Sequence, residues 1–127
     1  SVRSGGMEAI ADATMERWFA RAVRTTPEAQ AMRDLLLQCR PDGYVGCAAA
    51  IAGTDFYETT ATLTLPTLSI AGSEDGSTPP DLVRETAALV RGSRFQLIRG
   101  AGHLPCVDRP ADYAAALAGF LRDIGHI

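Results

Sequence analysis

The chain has 127 residues, of which 46% are hydrophobic and 21% charged, and its net charge is -3. Its 12 basic residues are scattered rather than striped, which disfavours nucleic acid and anionic membranes as partners. No apolar run approaches the roughly 20 residues of a transmembrane helix, and the N-terminus lacks the apolar core of a signal peptide.

In chain order, Ser1 to Gly6 reads as a loop and Met7 begins a strongly periodic helix. Met7, Ile10, Ala11, Met15, Trp18, Phe19 and Ala22 fall on one apolar stripe. Thr26 before Pro27 and Glu28 is a helix start, and Met32, Leu35, Leu36 and Cys39 supply the apolar face of that second helix. Pro41, Asp42 and Gly43 read as a break. Tyr44, Cys47, Ala48 and Ile51 then predict a third, small-residue helix ending near Gly53, and Asp55 to Leu63 a shorter fourth.

The stretch Leu65 to Pro110 changes character. Thr67 to Ala71 is an apolar run without alternation, as in a parallel strand covered on both faces. Pro79 and Pro80 sit where a helix can start, Leu82, Ala87, Leu89 and Val90 keep helical spacing, and Gly92 closes it. Arg94 to Arg99 resumes strand character, and Gly100, Ala101 and Gly102 lead into His103. A final helix from about Ala111 to Asp123 carries Tyr113, Ala116, Leu117, Phe120 and Leu121. One βαβ unit thus puts Asp75 and His103 just past the carboxyl ends of two parallel strands, the edge where open α/β sheets place ligands and chemistry. Two strands are marginal without neighbours.

The two turns, AGSEDGSTPP and GAGHLPCVDRP, resemble the acid loop and histidine loop of the α/β-hydrolases, and within that superfamily the 3-oxoadipate enol-lactonases. The resemblance runs over essentially the whole chain, including MERWF at Met15 to Phe19 and GYVGCAAAI from Gly43. It implies the C-terminal portion of an α/β-hydrolase fold, with residues 1–64 as a helical lid and 65–127 as part of the core with an incomplete parallel sheet. It also implies hydrolysis of 3-oxoadipate enol-lactone to 3-oxoadipate, with Asp75 as triad acid and His103 as general base. The alternatives are another small-ester or lactone hydrolase of the same fold, and a truncated, noncatalytic interaction module.

No Gly-x-Ser-x-Gly occurs in the sequence; the nearest string, Gly72-Ser73-Glu74-Asp75-Gly76, has its serine one place too early. The expected partners are therefore a small-molecule lactone and an N-terminal half carrying the nucleophile, from the same gene or a second chain, or else self-association. Glu74 and Asp108 are rival acids, but Asp108 lies close in sequence to His103 and reads as a cap of the last helix. The bland alternatives are a structural histidine and a turn-forming aspartate. Acyl transfer from an activated ester to water needs no metal or redox cofactor, and His103, Cys106 and Asp108 have no recognised zinc spacing. Three cysteines, Cys39, Cys47 and Cys106, form an odd set without paired spacing, as expected of reduced thiols in a cytoplasmic protein. Arg17 and Trp18 are candidate substrate contacts. On the apolar stripe Trp18 reads first as core packing and second as lining the pocket mouth, and Arg17 first as a solvated surface residue and second as a grip on the substrate carboxylate that the resemblance implies.

Overall fold

A computed structural model describes residues 1–127. The elements follow in the order α1 (Val2–Gly5), α2 (Glu8–Trp18), α3 (Pro27–Gln38), α4 (Pro41–Ala52), α5 (Tyr57–Ala61), β1 (Leu68–Gly72), α6 (Pro80–Leu89), β2 (Arg94–Ile98), α7 (Pro105–Asp108) and α8 (Pro110–Asp123). The two strands pair in parallel, from Leu68 opposite Arg94 to Gly72 opposite Ile98. Helix α6 makes the crossover and packs on both strands, while α8 packs on β2.

The helical boundaries follow from local chemistry. At the start of α3 the Thr26 hydroxyl accepts the Ala29 N–H at 3.3 Å, satisfying a donor that the first turn leaves free, a cap worth about 1 kcal/mol. Pro27 occupies the first helical position, where its missing N–H costs nothing. The same rule corrects the reading of Pro41–Gly43 as a break: Pro41 opens α4, and Asp42 and Gly43 form its first turn. Residues 2–5, expected to be loop, form the single turn α1, which places Val2 against α2.

Two apolar clusters hold the N-terminal helices. Val2, Met7, Ala11 and Leu36 make the first, with Tyr44 and Val45 of α4 packed against it. Met15, Phe19 and Ala29 make the second, which Leu104 and Val107 join from the far end of the chain. Trp18 touches both. The second cluster therefore fastens α2 and α3 to the segment after His103. At the surface Arg33 of α3 bridges Glu8 and Asp12, both at 3.0 Å, exposed pairs that each contribute little.

Only 17 of 127 residues are buried, and α4 and α8 bury none. Ile51, Phe56 and Leu65 stand exposed, and each strand has one neighbour, leaving its other edge unpaired. No helix is long and apolar enough to cross a membrane.

Candidate active site

Both turns leave the carboxyl ends of the strands and are stitched together there. Beyond the last strand pair, the Ser73 N–H donates to Ile98 O at 3.0 Å and the Glu74 N–H to Ala101 O at 2.8 Å. The Ser73 hydroxyl in turn accepts the Gly100 N–H at 2.8 Å. The parallel register thus carries through into the loops and sets Asp75 opposite His103.

Asp75 folds its side chain back over its own turn. One oxygen, Oδ1, accepts the N–H groups of Ser77 at 2.7 Å and Thr78 at 2.9 Å, the local hydrogen bonding that suits Asp to turns. The other, Oδ2, accepts the Thr78 hydroxyl at 2.9 Å and faces His103 Nδ1 at 2.9 Å. Burial pushes the carboxyl pKa up, but the bonds from His103, the Thr78 and Ser77 amides and the Thr78 hydroxyl outweigh it and leave it below its usual value. The group is therefore an ionised acceptor. It assigns the imidazole proton to Nδ1 and leaves the Nε2 lone pair free.

The two side chains differ in access: Asp75 is 5% exposed and His103 32%. Nε2 has no partner within the chain, so an inner nitrogen is held by a buried carboxylate while the outer one is available. Such a pair can draw a proton from a hydroxyl or water and stabilise the resulting imidazolium.

The end of α2 supports the pair from the other side. Its last carbonyls have no partner within the helix, and two of them meet the turns: Arg17 O accepts the Gly76 N–H at 2.9 Å and Trp18 O accepts the His103 N–H at 2.6 Å. Arg24 clamps this segment by donating to Glu16 O at 2.9 Å and Phe19 O at 3.0 Å. The approach is close enough to dictate residue type. A Cβ on Gly102 would overlap the Trp18 carbonyl oxygen, and one on Gly76 would sit 3.1 Å from Arg17 Cα.

Trp18 is half-buried and lies over His103, with ring centroids 6.4 Å apart and planes at 26°. It both packs in the core and touches the imidazole. Arg17 is exposed, forms no ion pair within the chain, and its guanidinium is 3.5 Å from the Thr14 hydroxyl. Glu74 is exposed and its backbone pairs with Ala101.

Sequence alone does not single out Thr78, and it marks Asp108 only as a rival acid and helix cap. The Thr78 hydroxyl is 3.2 Å from His103 Nδ1 as well as bonded to Asp75; its signal was a hydroxyl three residues after the acid. Asp108, read as a helix cap, does not cap α8, which starts after Arg109 without a side-chain cap. Its Oδ2 accepts the Gly102 N–H at 2.5 Å instead. It makes no hydrogen bond to the imidazole and does not compete with Asp75 for it.

A helical segment followed by strand, acid turn, helix, strand and histidine turn, all at one sheet edge, is the C-terminal half of an α/β-hydrolase fold. No protein-family model matches the sequence. The chain is similar to 3-oxoadipate enol-lactonase 1 of Acinetobacter baylyi, with 26% identity over 126 residues, covering 98% of this chain and 47% of that protein. Among solved structures it superposes on the enol-lactonase of Burkholderia xenovorans LB400 with a TM-score of 0.88 and 29% identity, over 95% of this chain and 47% of that one. A thermophilic esterase from Thermogutta terrifontis gives the same TM-score of 0.88 at 28% identity, over 97% and 46% of the two chains. The chain thus spans about half the length of the relatives it matches.

Proposed function

We propose that this chain supplies the acid, Asp75, and the general base, His103, of an ester or lactone hydrolase whose nucleophile lies on a separate segment. The single observation that carries this reading is the pairing of a buried, ionised carboxylate with one nitrogen of an imidazole whose other nitrogen is open. In that reaction Nε2 takes the nucleophile's proton, the imidazolium is stabilised by Asp75, and the proton passes to the leaving alcohol. A water then repeats the cycle in reverse and frees the acid. Residues 1–64 act as the lid, and the chain works in the cytoplasm. Similarity to two enol-lactonases favours an activated cyclic ester, 3-oxoadipate enol-lactone, as substrate, while similarity to an esterase keeps simple esters as the second reading.

The test is complementation. The 127-residue chain alone is expected to show no turnover of lactone or ester above the uncatalysed rate, because it lacks a nucleophile motif. The same chain joined to an N-terminal α/β-hydrolase half bearing Gly-x-Ser-x-Gly is expected to acquire turnover that His103→Ala removes. Activity in the joined protein that survives His103→Ala would defeat the proposal.

The lid carries the second expectation. The Arg17 backbone meets the acid turn and its guanidinium forms no ion pair within the chain; its grip on a substrate carboxylate would be worth roughly 1.5 to 3 kcal/mol, or about tenfold to a hundredfold in affinity. In the joined protein Arg17→Met should raise KM for a carboxylated lactone by that factor and leave neutral esters nearly unchanged. Trp18 lies over the imidazole. If both substrates fall together Arg17 is structural, and if neither changes the carboxylate is held elsewhere.

A further inference from the structure

We infer that Asp108 is a positioning residue, a carboxylate that ties the histidine turn to α7 and, together with the bond from α2 to the next amide, fixes the angle at which His103 meets Asp75. The inference rests on the reading of His103 as the general base and adds a residue to that site. Gly102 and His103 are consecutive, and both of their N–H groups are engaged. The first donates to Asp108 Oδ2 at 2.5 Å and the second to Trp18 O at 2.6 Å. Those two bonds fix the peptide planes on either side of Gly102 and hence the direction in which the His103 side chain leaves the backbone.

Asp108 holds one side of this joint and α2 the other. Burial raises its pKa above the ordinary value, against the opposing pull of the Gly102 and Ala20 N–H groups and of Arg109. Its Oδ1 is buried without a partner. A carboxylate that gives up hydration for so few partners is costly to keep. A residue serving only to fill this space would do so more cheaply as an apolar side chain. Short α7 presents Asp108 to the turn, and its Val107 packs in the same cluster as Met15 and Phe19. Helix α7 and the histidine turn therefore meet at one carboxylate beside the bond from α2 to His103, and that carboxylate acts on catalysis only through His103.

Nuclear magnetic resonance on the 127-residue chain tests this, because its two histidines provide a reporter, His103, and a control, exposed His126. The wild-type chain should show a downfield, slowly exchanging Nδ1–H signal from His103 bonded to Asp75. Asp108→Ala should lose that signal to exchange without moving His126, whereas Asp108→Asn, which keeps an oxygen for the Gly102 N–H, should retain it. Should the alanine variant fail to fold, Asp108→Leu, which fills the space without an acceptor, is read in its place. A folded Asp108→Ala or Asp108→Leu with the His103 signal unchanged would overturn the inference, as would unfolding of both, which would make Asp108 a matter of general stability. In the joined protein Asp108→Ala and Asp108→Leu should lower kcat by roughly a hundredfold with KM unchanged, and Asp108→Asn should restore most of it. If His103→Ala leaves activity intact, the functional reading fails while the spectroscopic result stands on its own.

Discussion

Replacing His103 by Ala in the joined, complete protein should lower kcat by on the order of a thousandfold or more with little change in folding. The imidazole is one-third exposed, and its ring nitrogens bond only Asp75 and Thr78, so its removal opens no large cavity. Its backbone N–H, which carries the bond to Trp18, survives in the variant. Asp75→Asn should cost somewhat less, since Thr78 and the turn amides still hold the side chain in place while the negative charge behind the imidazolium is lost. Acid should also separate wild type from Asp75→Asn. The Asp75 pKa is lowered by folding from an ordinary value of 3.8, so its ionised form adds stability that is present above that value and lost as pH falls through the depressed one. Denaturant unfolding across that window should show the stability advantage of wild type over Asp75→Asn shrinking with acidification. Activity equal to wild type in both variants would remove the pair from the mechanism.

Gly102→Val should be strongly destabilising. The added Cβ meets backbone, the Trp18 carbonyl and Phe19 Cα, which cannot swing aside as a flexible side-chain end would. Relief requires the histidine turn to move off α2, breaking the Trp18–His103 and Gly102–Asp108 bonds together. A loss of about 3 kcal/mol is expected from overpacking of this kind. Gly76→Ala, whose Cβ would stand 3.1 Å from Arg17 Cα, should cost about 1 kcal/mol by the same mechanism. Unfolding midpoints of the two variants equal to wild type would show that the turn is not held against α2.

Much of this architecture could be read from the chain because its signals are local. Thr26 followed by Pro27 caps and starts a helix within four residues, and the βαβ unit announces itself by apolar runs broken at Gly72, Pro79, Pro80 and Gly92. Placing Asp75 and His103 at one edge needs only the rule that parallel strands put their carboxyl ends together. What escaped was either ambiguous or distant. Pro41 ends one helix and begins another, and the residue type is compatible with both. Four-residue α1 and α7 are too short to show a period. The bond from Asp108 to Gly102 runs backward across a turn, and its significance depends on α2, some 90 positions earlier in the chain. Likewise the demand for glycine at positions 76 and 102 arises from backbone met across the fold, not from a turn that either needs locally.

The sparse interior has a calorimetric consequence. With 17 buried residues in 127, and none on α4 or α8, unfolding hydrates little new apolar surface. Its heat-capacity increment per residue should then fall below the ~12 to 15 cal/mol/K usual for globular proteins. A small increment flattens the stability curve, so the chain by itself would melt over a wide temperature range and show little cold destabilisation. If, as proposed, a companion segment covers Ile51, Leu65 and the open strand edges, the missing increment should surface there as a large negative heat-capacity change on association.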